Sequence, residues 1–376
     1  MTKTTAIHFA VTSHGFGHLT RCLAILRSLN RLAPSCSLFV STTADTDWLR
    51  RQFDFPVQWR HQEYEPGALQ RNCFEVDVPT TLDAYRTFRE QYANRLEREL
   101  AFLRSHSFVG VISDIPALPV QAANEVGIPA IGISNFTWDW ILEPWCDDED
   151  ASIVSDLTAA YATGALHLRL PFGPAYSPFQ DHEPAPLVSR RATKSSDEVR
   201  RALSLPEGRV ALVCPGGWSG EEWPHIHARP GDFHLVTVGD LPVSSDTFCL
   251  KLPHQLPSGL TLPDLVACSN VVLGKPGYGL ASECVTHHVP FAMIERPNFR
   301  ETPCLMQEMA KAGRCSTSTL TQFFSGDWEP ILEEALTGGS EWMDVPADPS
   351  QIIAQRVLDL FGVESRGLRA SRGLRI

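Results

Sequence analysis

Short apolar, β-branched runs alternate with segments of helical period along most of this chain, the pattern of parallel α/β units. In the first half the predicted strands are Ala6 to Val11, Ser37 to Thr42, Val57 to Trp59, Val109 to Ser113, Ala130 to Ser134 and His167 to Leu170. After the first strand, Leu19, Cys22, Leu23, Leu26 and Leu29 form the apolar stripe of a helix. From Leu82 to Leu103 the residues Tyr85, Phe88, Tyr92, Leu96 and Leu100 recur at similar spacing and predict one long helix.

The proline-rich stretch Pro171 to Pro186 denies donors to a ladder and disfavours helix, so it reads as a linker. A second series of strands follows: Val210 to Cys214, His234 to Val238, Phe248 to Leu250, Asn270 to Leu273 and Phe291 to Ile294. Trp328 to Leu336 and Gln351 to Leu360 read as helices, the last able to fold back over the linker. At 376 residues two domains are the natural division. The expected fold is therefore α/β, two Rossmann-like domains facing across a cleft, with residues 1–170 as the first, 171–186 as the linker and 187–376 as the second.

Composition narrows the setting. With 43% hydrophobic and 20% charged residues and no apolar run of spanning length, no membrane span is expected. The amino terminus lacks a signal-peptide apolar region, and ten cysteines are scattered without a CxxC pair, so reduced thiols and a cytoplasmic location are expected. A net charge of −12 opposes a long nucleic acid partner. The basic tail RGLRASRGLRI reads as a solvated terminus, and the pattern sets no oligomeric state.

Candidate chemistry gathers at two glycine turns. The first strand feeds into Thr12-Ser13-His14-Gly15-Phe16-Gly17-His18, which places free amides and a helix N-terminus at the carboxyl edge of a sheet. Gly15 and Gly17 are followed by Thr20 rather than a third glycine, which disfavours a dinucleotide cofactor. His18 lies in the first helical turn, where the dipole favours a neutral imidazole able to accept a proton. Asp114 ends the strand VGVISD at the same edge and is expected to hold the other ring nitrogen. A lone histidine there more often caps or packs; the pairing with Asp114 is what makes it a candidate base.

In the second half, a strand runs into Gly274-Lys275-Pro276-Gly277-Tyr278-Gly279 and then a helix. Amides, helix end and Lys275 together offer positive potential for a diphosphate without a metal. Glu283, one turn after Gly279, can accept hydrogen bonds from ribose hydroxyls. A further turn, Pro215-Gly216-Gly217-Trp218, follows that half's first strand and should line the same crevice. Asp45-Thr46-Asp47 has a metal-motif spacing but reads as a helix cap, and no metal is expected. Tyr64, Phe74, Trp138, Trp140 and Trp145 are candidates for an acceptor pocket or for core.

The stretches TSHGFGHLTRCLAIL, VISDIPALPVQAANEVGIPAIGISNFTWDWI, LPDLVACSNVVLGKPGYGLASECVTHHVPFAMIERPNFRETP and FFSGDWEPILEEAL resemble the amino-terminal glycosyltransferase-like domain of plant L-arabinokinases and, more distantly, the GT-B nucleotide-sugar glycosyltransferases. That resemblance implies a nucleoside-diphosphate sugar as donor substrate, no other cofactor, a small-molecule acceptor with a hydroxyl or amine, and inversion at the anomeric carbon. It implies that His18 is general base supported by Asp114. On the donor side it implies roles for His14, Gly15, Gly17, Gly216, Gly217, Lys275, Gly277, Tyr278, Gly279, the pair Ser282 and Glu283, and Glu301. Glu295, Arg296, Asn298 and Arg300 fall in the same sugar-contacting region, but the DQ pair of plant transferases is absent. No Gly/Ser-rich sugar-kinase motif is present, so kinase activity is not expected. The rival readings are an epimerase or hydrolase acting on a nucleotide-sugar, and a non-catalytic nucleotide-sugar-binding module.

Overall fold

The computed structural model describes residues 5–12, 14, 16–44, 53–216, 223–254, 256–257 and 259–365. Gly15, Gly217, the Asp45-Thr46-Asp47 triplet and the basic tail lie outside the described residues.

The first sheet contains β1 (Ala6–Val11), β2 (Ser37–Thr42), β3 (Gln58–His61), β4 (Phe108–Asp114), β5 (Ala130–Ser134), β6 (Leu166–Arg169) and β7 (His182–Pro184). Its order is β3-β2-β1-β4-β5-β6-β7, with every neighbouring pair parallel. β1 is buried at every position, as a strand covered on both faces must be. The second half contains β8 (Val210–Cys214), β9 (Ile226–Ala228), β10 (His234–Val238), β11 (Val243–Ser245), β12 (Cys249–Leu252), β13 (Val271–Gly274), β14 (Phe291–Ile294) and β15 (Cys315–Ser318). β9 and β11 pair by themselves, and the main sheet runs β12-β10-β8-β13-β14-β15, again parallel.

Both main sheets repeat one winding, from the centre outward to one edge and then from the centre to the other. The reversal falls between β1 and β4 in the first sheet and between β8 and β13 in the second. In doubly wound sheets the loops leaving such paired strands diverge and open the ligand crevice. The two glycine turns and Asp114 all follow these four strands, so topology alone brings them to the two crevices.

Two features differ from the sequence expectation, and a third, the return of the last helix over the 171–186 segment, follows it. The long helix divides at Gln91 into Val78–Glu90 and Tyr92–Arg104, although its apolar rows run on across the break. Within 171–186, the segment expected to be the linker, β7 joins the first sheet; as an edge strand it needs donors on one side only, so Pro184 is admissible. The last helix, Pro349–Leu360, crosses back to the first half. Its start pairs Asp348 with Arg31 and Ser350 with Ser28 at 2.9 Å, Arg356 reaches Glu183 on β7 at 2.7 Å, and Phe361 covers β4.

That last contact yields a test. A Cβ on Gly110 of β4 would lie 2.3 Å from Cε1 of Phe361, so the ring must move. Gly110→Ala is expected to cost about 1–3 kcal/mol in urea unfolding, the usual range for overpacking; an unchanged midpoint would show that the helix is not seated there. In the other direction, Phe74 of the first half inserts into the second half's core, with its ring 5.5 Å from Phe323 and 5.9 Å from Trp223.

Candidate active site

The helix Phe16–Leu32 starts directly after β1, so His18 lies at the carboxyl edge beside the end of β4. Its Nδ1 is 2.8 Å from Oδ1 of Asp114, and the imidazole stands edge-on to Phe136 at 5.5 Å, with the residue 7% exposed. The pair expected from the sequence is thus in contact. Burial pushes the Asp114 carboxyl up, but the charge of Arg21, and after it that of His18, overrides this and holds it far below the ordinary carboxylate range.

Arg21 is a residue that sequence reasoning missed. Three positions after His18 on one helical face, its Nε donates to Asp114 Oδ2 at 2.6 Å and its Nη2 to Oδ1. Nη2 also lies 2.8 Å from His18 Nδ1. Nδ1 therefore either donates to Asp114 or accepts from Arg21, and the choice decides whether Nε2 is left free to accept a proton. Nη1 donates to Asn135 Oδ1 at 2.8 Å, and Asn135 Nδ2 donates to Glu301 Oε1 at 2.8 Å. A continuous polar chain thus runs from His18 through Asp114, Arg21 and Asn135 to Glu301 of the second half. Its sequence signal was a charged residue set beside an apolar helical stripe.

The two glycine turns meet. A Cβ on Gly279 would lie 3.4 Å from Cα of Gly17, and one on Gly17 3.7 Å from the Gly279 amide nitrogen. A Cβ at either position would thus make ordinary van der Waals contact with the facing turn. His14 packs edge-on to Trp138 at 5.1 Å and beside Phe299 at 6.2 Å; burial first, then the charges of His18, Arg296 and Lys275, keep its pKa well below the usual value.

On the opposite side, the helix Tyr278–His287 is capped by Gly277 with no side-chain partner for its first amides. A Cβ on Gly277 would meet nothing within 4 Å, so there is open space beside the start of this helix. Lys275 lies with Cε and Nζ against Gly216, and burial followed by the charge of Arg296 lowers its pKa to about 8. Burial likewise lowers Arg296 to about 10 against the pull of Glu301, and Arg296 Nε and Nη2 are buried without partners. Two desolvated cations beside an open helix N-terminus make a site that an anion would stabilise.

Glu283 is 1% exposed; Arg190 holds Oε1 at 2.6 and 2.8 Å, while Oε2 has no partner. Burial raises its pKa against the attraction of Arg190. Ser282 donates to the carbonyl of Gly279 at 2.8 Å, within its own helix. Tyr278 turns away from the cradle: its ring lies 4.8 Å from the Arg21 guanidinium carbon, and its Oη accepts from the Val188 amide at 3.0 Å. Of the aromatic candidates, Phe74 is core, Trp140 carries Arg300 at 4.6 Å, and Trp145 donates to the Asn298 carbonyl at 3.0 Å. Among the described residues, no group of three or more His, Cys, Asp or Glu is placed to hold a metal, and no helix is long and apolar enough to cross a membrane.

Two parallel, doubly wound sheets with their switch-point turns face to face define a known architecture. The chain has the GT-B glycosyltransferase fold. The glycotransferase of kitacinnamycin superimposes with a TM-score of 0.60, 15% identity and 96% coverage of both chains. Phytolacca americana UGT2, solved with UDP-2fluoro-glucose and pterostilbene, gives a TM-score of 0.59 at 12% identity, over 96% of this chain and 94% of that one. VinC in complex with dTDP gives 0.54 at 14% identity over 96% of each. In sequence, this GT-B chain is 30% identical over 343 residues to an L-arabinokinase from Arabidopsis thaliana. The match covers 88% of the chain but 32% of that relative, so it spans about a third of the kinase's length. No protein-family profile matches the chain.

Proposed function

We propose that this GT-B protein transfers a sugar from a nucleoside-diphosphate sugar to a small-molecule acceptor, without a metal and with inversion. His18 takes the acceptor proton through Nε2 as the acceptor oxygen attacks the anomeric carbon; Asp114 holds Nδ1 and stabilises the imidazolium that forms. The leaving diphosphate takes up its charge against the Gly277 and Gly279 amides, Lys275 and Arg296. Glu283 Oε2 accepts from the ribose. The observation that carries this reading is the pairing across one interface of a hydrogen-bonded His18 and Asp114 with a second glycine turn beside which Lys275 and Arg296 are desolvated and Arg296 Nε and Nη2 lack partners. The nucleotide-bound neighbours support it.

Gly277→Ala provides the test on the donor side. Gly277 has φ −131° and free space at its Cβ position, so alanine fits the fold and the stability of the free protein stays within about 0.5 kcal/mol of wild type, as for a neutral surface change. The added methyl enters the space assigned to the diphosphate. UDP or dTDP is expected to raise the wild-type melting point by mass action and to raise that of the variant far less; equal rises would move the nucleotide elsewhere.

One observation favours a second reading, a non-catalytic donor-binding module. If Arg21 Nη2 donates to His18 Nδ1, the ring proton sits on Nε2 and His18 becomes a donor rather than a base. Nitrogen NMR of the labelled imidazole distinguishes the tautomers, and the module reading gains if Nε2 carries the proton near neutral pH.

A further inference from the structure

After β7 the chain enters the second half along the helix Tyr278–His287 and is tied to it at successive residues. The Val188 amide donates to Tyr278 Oη at 3.0 Å, the hydroxyls of Ser189 and Thr286 lie 2.6 Å apart, and the Ala192 amide donates to His287 Nε2 at 3.2 Å. The Thr193 and Lys194 amides then donate to Asp264 Oδ1 at 2.6 and 2.9 Å. Arg190 thus projects from a segment that is fixed on both sides of it.

Both contacts of its guanidinium converge on one oxygen. Nε donates to Glu283 Oε1 at 2.8 Å and Nη2 lies 2.6 Å from the same atom, whereas Oε2 is buried without a partner. Arg86 and Arg356 behave differently, each giving one nitrogen to each oxygen of Asp150 and Glu183. With two donors on Oε1, its two lone pairs are taken, and the carboxylate cannot turn without losing them. The bare Oε2 costs free energy until a donor reaches it.

We infer that Arg190 is a positioning residue for the donor: it fixes the Glu283 carboxylate by Oε1 and leaves Oε2 as the single oxygen presented to the ribose hydroxyls. It meets no reacting atom itself. Its charge also opposes the rise that burial imposes on the Glu283 carboxyl, which favours the ionised and stronger acceptor. This rests on the reading above in which Glu283 holds the ribose.

The test is calorimetric titration of the full chain with UDP and with pyrophosphate, which has no ribose. Arg190→Met is expected to weaken UDP by about 10-fold or more, as for loss of a charge-assisted hydrogen bond, and to leave pyrophosphate binding unchanged. Arg190→Lys restores most of the loss, because contacts that converge on one oxygen ask for a nearby charge rather than for a planar fork. Should Arg190→Met fail to fold for want of a counter-charge to Glu283, two forms with no carboxylate left unpaired decide instead. Glu283→Gln alone and Glu283→Gln joined to Arg190→Met are expected to bind UDP equally, since a residue that acts through Glu283 has nothing left to position. A further loss in the double variant, wild-type UDP affinity in Arg190→Met, or pyrophosphate weakened in step with UDP overturns the positioning role and leaves the transferase reading standing. No binding of UDP to wild type overturns both.

Discussion

On the proposed transferase reading, exchanging His18 for Gln is expected to lower the rate of sugar transfer by about 10²- to 10⁴-fold, the range a positioned general base commonly supplies. The melting-point rise given by UDP is retained, because every residue assigned to the diphosphate apart from the Gly17 turn and His14 belongs to the second half. Single-turnover rates at saturating donor isolate the chemical step from product release. A variant that turns over at the wild-type rate removes His18 from the chemistry; one that loses the UDP response as well shows that His18 helps hold the donor.

The second large effect concerns Asp114, which receives His18, both arms of Arg21 and, at 3.1 Å, the thiol of Cys22, all buried. Asp114→Asn leaves the Arg21 charge without its counter-charge, and breaking a buried pair from one side costs about 3–5 kcal/mol. The pH dependence has a definite sign. Asp114 has its folded pKa depressed far below the unfolded value of about 3.9. Its stabilisation is therefore complete above about pH 4 and drains away as pH falls toward the folded value. Wild type should lose stability on acidification below pH 4 more steeply than Asp114→Asn, which starts lower and has no such group to protonate. Urea midpoints at several pH values between neutral and acid measure both curves, and parallel curves would mean that the carboxylate is not ionised in the fold.

Much of the architecture was legible because apolar runs announce buried strands, and β1, β2, β5, β8, β10 and β14 fall where the runs do. β15, with the sequence CSTS, is polar, yet Ser316 and Ser318 are buried and Ser316 donates to the Ile331 carbonyl. Such a strand gives no alternation to read. The break at Gln91 was invisible for the opposite reason, since the apolar spacing through Phe88 and Tyr92 is uninterrupted. At the site, His18, Asp114, Lys275 and Glu283 were legible because each stands at a fixed distance from a glycine turn or a strand end. Arg21, Asn135 and Arg190 were not. A charged or amide side chain in a sequence reads as solvated, and only the packing of the fold shows Arg21 and Asn135 buried and Arg190 against the buried Glu283.

The return of the last helix to the first half gives the chain two crossings between its lobes, one near residues 185–195 and the other between Thr337 and Pro349. A lobe on a single tether can swivel about any direction, whereas one held at two separate points keeps freedom mainly about the line joining them. Any rotation of one lobe against the other is then confined to a door-like course about that line, along which Gly279 keeps to one path relative to Gly17.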